Sequence, residues 1–416
     1  MKRVTILAVF LSLILGFTTR VAAQDSTQTE LNKKKLSGNP GNTHLLLTGV
    51  AWFGGQANMK TVNPTDIKTN FNDFGFSPMF LYKLSDKFFF ESEIEIKNDG
   101  SADNGAAFDL EFAKLSCYVN KYMTIGAGKM LSPFGAYNEK WEPNHIERFP
   151  NSPLRPDDGV LPDDSHLFWG AVMGMDVRGK FDLGCSKLTY ALYVSNGPKL
   201  STDTNGRPTG VIQYENWNDN NNNKEIGGRI GFLPFSNNCL EIGFSAKSGI
   251  ASGLSDTLYN QTRDTMTVNM KASATAIDLN FVKSISEIKS IIGIRGQFTT
   301  FKMDNAHYYL SDSATYTFDN TMTSYFAQLS IRPALVDDPF FKNLEFLVRY
   351  NAVTPPKGAI WGPKDANGNG GSITRLDLGL DYWLSWRTGL RLAYEMTTMP
   401  DGTKSTMIVA RLATGL

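Results

Sequence analysis

The sequence predicts an all-β protein: a transmembrane antiparallel β-barrel of about sixteen strands whose long third outer loop folds inward. Three observations predict it. Apolar residues alternate with polar or small ones from residue 44 to the end, the period of strands rather than helices. The connections between the alternating segments run short, long, short, long, as periplasmic turns and outer loops do. Ionisable residues recur deep inside the segments, mostly out of phase with the apolar set. The 27 Phe, 15 Tyr, 7 Trp and 37 Gly suit a strand-rich chain.

Met1-Lys2-Arg3, the apolar run 4–17 and Val21-Ala22-Ala23 before Gln24 read as a secretory signal peptide over 1–23. That run is too short for a spanning helix, and no later run approaches the roughly 18–20 residues required. Residues 24–43 are polar, with Lys33-Lys34-Lys35 and Gly38-Asn39-Pro40-Gly41, and read as a disordered periplasmic lead-in. The barrel is expected over 44–416. The formal net charge is +0, so whole-chain charge selects no partner, and there is no basic helix for nucleic acid. Cys117, Cys185 and Cys239 are an odd number without metal-ligand spacing and read as unpaired small residues.

Strands are expected at 44–58, 71–83, 87–97, 108–120, 122–130, 168–181, 185–196, 224–234, 238–249, 266–284, 287–302, 321–333, 342–353, 372–385, 387–399 and 404–416. Late in the chain the apolar phase is clear: Ile292, Ile294 and Phe298; Leu344, Phe346, Val348 and Tyr350; Leu376, Leu378, Leu380 and Tyr382; Leu390, Leu392, Tyr394 and Met396.

The short connections fall at 84–86, near 121, at 182–184, 234–237, 285–286 and 385–386, with 333–341 somewhat longer. The long ones fall at 59–70, 98–107, 131–167, 197–223, 250–265, 303–320 and 354–371; only 400–403 is short where a long one is due. The Asn-rich 216–223 reads as a mobile outer tip. A sheet in lipid must close, because an open edge leaves N–H and C=O groups without partners. The first and last segments should therefore pair. Trp52, Tyr82, Tyr118, Tyr122, Trp169, Tyr382, Trp383 and Trp386 lie near segment ends, where interfacial girdles occur, and ordinary aromatic packing accounts for any single one of them nearly as well.

The other phase holds two charged groups. The early strands carry Glu91, Glu93, Glu95, Asp109 and Glu111, and the later ones Arg178, Arg229, Arg295, Arg332, Arg349, Arg375, Arg391 and Arg411. An arginine facing lipid at mid-membrane costs roughly 2–4 kcal/mol, so a row of them should face the lumen. A sixteen-stranded lumen is too wide for side chains to fill and holds water. An acidic wall opposite a basic one gives a transverse field that favours small polar or charged solutes over apolar ones. The same residues also allow structural pairs: Glu395 with Arg391, Asp377 with Arg375, Asp176 with Arg178. The arginine row favours anions and the carboxylates offset it, so ion preference stays open.

The stretch 131–167 is too long for an ordinary connection. Five prolines between Pro143 and Pro162, with Pro133 before them, stiffen it. It sets Lys140, Arg148 and Arg155 against Glu139, Glu142, Glu147, Asp157, Asp158, Asp163 and Asp164. A stiff loop can hold a fixed constriction, with Lys129, Pro133, Phe134, Gly135, Glu147, Arg148 and Arg155 as its candidate residues. An exposed outer loop is the other reading.

Gly128-Lys129, Pro133-Phe134-Gly135 and Ile146-Glu147-Arg148, following a strand and opening the third loop, resemble the porin O/P family, the phosphate-selective-porin-like channels of Gram-negative outer membranes. The resemblance implies a sixteen-stranded barrel in outer-membrane lipid, a homotrimer, and basic residues along the path. Members vary in solute, so phosphate is not carried over. Two departures matter. The best-known members have a strongly basic constriction, whereas this loop is mixed and acid-rich. The chain also ends Arg411-Leu412-Ala413-Thr414-Gly415-Leu416, without the terminal aromatic common in such barrels.

The four histidines are 44, 145, 166 and 307. His145 near Glu147, or His166 near Asp164, could be written as a hydrolase site, and both with Asp163 as a metal site. Neither spacing follows a pattern such as His-Glu-x-x-His. There is no Walker loop, no dinucleotide fingerprint in a βαβ setting, and no segment before residue 44 suited to a transporter plug. The expectation is a non-enzymatic channel for passive diffusion, with no catalytic residue, cofactor or metal. A plugged structural or adhesive barrel and a surface hydrolase barrel are the alternatives.

Overall fold

Sixteen strands close into one antiparallel barrel. The computed structural model describes residues 44–60, 69–98, 105–142, 146–154, 170–202, 208–213, 217–253, 269–306, 308–311, 314–359 and 362–416. The signal peptide and lead-in expected over 1–43 lie outside the described residues.

The wall begins with β1 (His44–Lys60), β2 (Thr69–Lys83), β3 (Phe88–Asn98), β4 (Ala106–Asn120), β5 (Met123–Leu131), β6 (Ala171–Leu183) and β7 (Ser186–Asn196). A hairpin of β8 (Lys199–Thr202) and β9 (Pro208–Gln213) stands apart from it. The wall resumes with β10 (Lys224–Leu233), β11 (Leu240–Ile250), β12 (Lys271–Ile285) and β13 (Ser290–Met303). A second separate hairpin follows, β14 (Tyr308–Ser311) with β15 (Ala314–Tyr316). The circuit ends with β16 (Thr321–Arg332), β17 (Leu344–Thr354), β18 (Ile373–Trp383), β19 (Thr388–Thr398) and β20 (Lys404–Gly415). Each predicted segment is a wall strand, with ends shifted by a few residues. The two hairpins were missed because they are too short for period-two alternation to stand out.

Closure follows the expected pairing. β1 meets β20 antiparallel, with Gly54 opposite Arg411 and Val50 opposite Gly415. Leu416 N–H donates to the Gly49 carbonyl at 2.8 Å, and the Leu416 carbonyl accepts from Thr48 Oγ1 at 2.6 Å and Arg387 Nη1 at 2.9 Å.

The side-chain distribution is inside out. Ile230, Phe244, Ile277, Phe298 and Tyr325 stand opposite one another across β10, β11, β12, β13 and β16, forming an apolar band on the outer surface. One residue earlier or later lies the inner phase: Arg229, Ser245, Ala276, Thr299 and Ser324, all buried. The exposed face carries the apolar residues and the enclosed face the polar ones, as a barrel in lipid requires. Among the described residues no helix is long and apolar enough to span a membrane.

The interior is partly filled. Phe301, Met322 and Phe326 of the inner wall join Phe134, Tyr137 and Trp141 of the third outer connection, and Leu200, Ile212, Tyr308 and Phe318 of the hairpin connections, in one apolar cluster. The Tyr137 and Trp141 rings meet Phe326 edge-on, at 5.7 and 5.9 Å. The hairpins brace each other: Tyr316 Oη donates to the Thr209 carbonyl at 2.6 Å and Asn320 Nδ2 to that of Gly210 at 2.8 Å.

Two expectations are corrected. Trp52 and Trp383 are buried on the inner phase rather than in an outer girdle; the Trp383 indole donates inward to Glu345 at 2.8 Å. Tyr118, Tyr122 and Trp386 are exposed, and Trp169 lies outside the described residues. The segment 217–223 is not a loose tip: Asn221 is buried and its amide donates to the carbonyls of Ile250 at 3.1 Å and Ser252 at 3.0 Å. Composition suggested mobility there, but a buried amide with backbone acceptors on both sides anchors it. Cys117, Cys185 and Cys239 are free thiols.

Candidate functional site

The alternation of each strand decides which side chains reach the interior, and a long strap crosses it. After β5 the chain turns inward rather than out. Gly135 has a left-handed φ of 73°, and a Cβ there would stand 2.6 Å from the Gln297 amide. Only glycine suits both the dihedral and the approach. Gly135 N–H donates to Ser245 Oγ at 3.0 Å, and the next two N–H groups, of Ala136 and Tyr137, donate to Gln297 Oε1 at 2.9 and 3.1 Å. A single π turn over Tyr137–Trp141 follows, a form frequent at functional sites.

Charged side chains of the strap then meet both walls. Glu139 accepts from Arg178 Nη2 at 3.0 Å, and Lys140 pairs with Glu241. Arg148 Nη1 donates to Glu345 at 2.7 Å. Glu147 accepts the N–H groups of Arg148 at 2.8 Å and Phe149 at 3.1 Å, which turns the chain, and faces Arg349 at 3.5 Å. Arg349 and Arg375 donate to the carbonyls of Asn151 and Ser152, and Leu154 N–H donates to Asn351 Oδ1 at 2.6 Å. Phe149 is fully buried against Gly379, where a Cβ would come within 2.7 Å of its ring. Pro133 and Phe134 are buried at the start of the strap. Arg155, His145, His166 and the acidic run 157–164 lie outside the described residues, as does His307.

All eight arginines lie on the inner phase, but they are not a uniform basic lining. Arg178 shares Asp176 with Lys114, its Nε at 2.6 Å and the lysine Nζ at 2.8 Å. Arg229 grips Asp278 through Nε at 2.9 Å and reaches Glu241 at 2.9 Å. Arg349 holds Asp377 at 2.8 Å, and Arg375 holds the other oxygen at 2.9 Å. Arg411 pairs with Asp73 at 2.5 Å. Arg391 stands opposite Asp381 in register. Arg295 and Arg332 differ: among the described residues neither has a carboxylate within ion-pair distance. Two of the pairs expected from sequence form. The third does not, because register sets Glu395 against Asp377, and Arg375 takes it at 3.7 Å.

The acidic group lies on β3 and β4. Glu95 pairs with Lys97, and Asp109 with Lys129 at 3.5 Å while its side chain stays 45% exposed. Lys129 itself is buried, 4.1 Å from the Trp217 ring centre. Glu91, Glu93 and Glu111 are half-buried, and no Lys or Arg among the described residues comes within ion-pair distance of them. Sequence reasoning missed Asp278, Glu345, Gln297 and Asn351. Each is an ordinary inner-phase residue whose long-range partners lie on other elements, from 24 residues away for Asn351 and Arg375 to 197 for Arg148 and Glu345, so no local signal marks it.

No protein-family model matches the chain, and no curated protein sequence does. Solved structures do. The outer membrane channel DcaP of Acinetobacter baumannii is 12% identical, with a TM-score of 0.52 over 91% of this chain and 99% of that one. The OmpF of Salmonella typhi, solved with daunomycin, is 12% identical, with a TM-score of 0.54 over 89% and 97%. An anion-selective porin from Comamonas acidovorans is 10% identical, with a TM-score of 0.54 over 90% and 100%. At such identities the likeness establishes the barrel fold.

Proposed function

We propose that this chain is an outer-membrane porin of a Gram-negative bacterium. Small polar or charged solutes diffuse passively through its water-filled lumen, which the strap 131–167 narrows. The observation that carries the reading is the acidic wall of β3 and β4, where Glu91, Glu93 and Glu111 stand half-buried with no Lys or Arg among the described residues at ion-pair distance. Carboxylates without an ion-pair partner persist where water reaches them. The named channels and porins among the similar structures support the same reading, and the working unit is a homotrimer, as the sequence resemblance implies. No cofactor or catalytic residue enters.

Ion preference follows the charges left without an opposite partner among the described residues. These are Glu91, Glu93 and Glu111 on one side of the strap, and Arg295 and Arg332 on the other. Their field runs across the lumen and favours polar over apolar solutes. The anion preference suggested by eight arginines narrows to two of them.

A second reading, a sealed barrel with a structural or adhesive role, draws on the apolar cluster that the strap and hairpins form inside the wall. Planar bilayers separate the two. The porin reading expects stepwise, ohmic current from purified protein; a silent bilayer with correctly folded protein supports the sealed barrel.

A further inference from the structure

Between the strap and the short-turn end of the barrel lies a cavity of about 180 Å³. Three guanidinium groups from three separate elements line it: Arg148 of the strap, Arg295 of β13 and Arg332 of β16. Arg148 donates to Glu345 and lies 5.0 Å from the Trp383 ring centre. Arg332 lies 5.4 Å from the same centre, with Nε donating to the Lys342 carbonyl at 2.9 Å and Nη2 to Asn343 Oδ1 at 3.2 Å. Arg295 makes one long bond, 3.4 Å to the Ile146 carbonyl. Each guanidinium carries five N–H donors, so most have no acceptor among the described residues.

Glu345 is the one carboxylate in the lining, and Arg148 and the Trp383 indole both hold it. Glu147, nearby, is occupied by two backbone N–H groups and Arg349. The lining thus sets three positive charges against one negative, leaving two uncompensated. The planar guanidinium fork matches a carboxylate in a way that water does not.

We infer that this cavity binds a small organic dianion of the short aliphatic dicarboxylate class. The inference deepens the porin reading by naming a solute class, and rests on that reading for the ligand's route. Size favours an organic dianion over a bare inorganic ion: about six waters at ~30 Å³ each would fill the space, more than a single sulfate occupies. Val282 and Ile291 give the cavity an apolar side for a hydrocarbon spacer.

The test titrates the full chain, folded in detergent, with glutarate and separately with sulfate by calorimetry. Saturable glutarate binding with a millimolar dissociation constant is expected, with sulfate weaker. Arg295→Gln with Arg332→Gln should weaken glutarate about tenfold or more, since charged hydrogen bonds are lost. Arg295→Lys with Arg332→Lys should retain more of the binding. Heat-modifiable gel migration confirms that each variant folds. No saturable binding, equal binding by wild type and the glutamine pair, or tighter sulfate than glutarate overturns the inference. Calorimetry needs no conduction, so the two readings fail separately. A conducting protein that binds no glutarate loses this site alone, and a binding protein that never conducts loses the porin reading alone.

Discussion

Arg349 of β17 and Asp377 of β18 stand opposite each other in register, Nε 2.8 Å from Oδ2, both with side chains sealed from solvent. The same guanidinium reaches the strap at the Asn151 carbonyl and faces Glu147. One wall pair therefore also anchors the strap. Arg349→Leu should cost about 1.5–3 kcal/mol, because buried Asp377 loses one of its two arginines and keeps Arg375. The loss shows as a lower unfolding midpoint and noisier single-channel current. Arg349→Leu combined with Asp377→Leu should recover part of the midpoint but not the quiet current, since the strap carbonyl remains unheld.

Gln297 accepts two successive strap N–H groups with one oxygen. Gln297→Leu leaves both without an acceptor and should destabilise the strap by about 1–3 kcal/mol. Hydrogen exchange at Ala136 and Tyr137 should rise while exchange in β13 and β16 stays slow. Unchanged protection at both amides would show that the strap is held elsewhere.

The phase of the wall has its own test. Ile277 belongs to the outer apolar band, paired with Phe244 and Phe298. Ile277→Arg should cost about 2–4 kcal/mol in lipid vesicles, the expected value for a mid-membrane arginine facing acyl chains. A denaturant titration of folding into vesicles reads it, and a neutral result would place Ile277 away from the membrane centre.

Charge accounting predicts unequal effects from similar substitutions. Glu93→Gln with Glu111→Gln should move the reversal potential in a KCl gradient toward anions. Arg295→Glu with Arg332→Glu should move it toward cations. Arg375→Gln should move it far less, because Arg375 lies between Asp377 and Glu395 and is buried. Equal shifts from all three would show that ion pairing does not screen the arginine row.

These contrasts mark what the chain alone could reveal. Strand number, closure and the inner phase of the eight arginines were legible because period-two alternation is local: Arg295 between Ile294 and Gly296 declares its face. The pairing of those arginines was not. Whether Arg375 takes Glu395, or Arg391 does, depends on a register between strands that single-strand patterning leaves open. The strap's length was legible from the wide gap between alternating segments. Its route was not, because it depends on one glutamine on β13 and on a glycine at 379 that leaves room for Phe149. Trp383 shows the converse: its place near a strand end suggested an outer girdle, and a buried Glu345 drew it inward.

The central claim is that a strap narrows a wet lumen beside an acidic wall. Single-channel conductance of the wild type, compared with a variant in which residues 133–154 are replaced by a short Gly-Ser linker, tests it most directly. The account predicts small ohmic steps for the wild type and distinctly larger ones for the variant. A silent wild type, or steps of the same size in both, would contradict it.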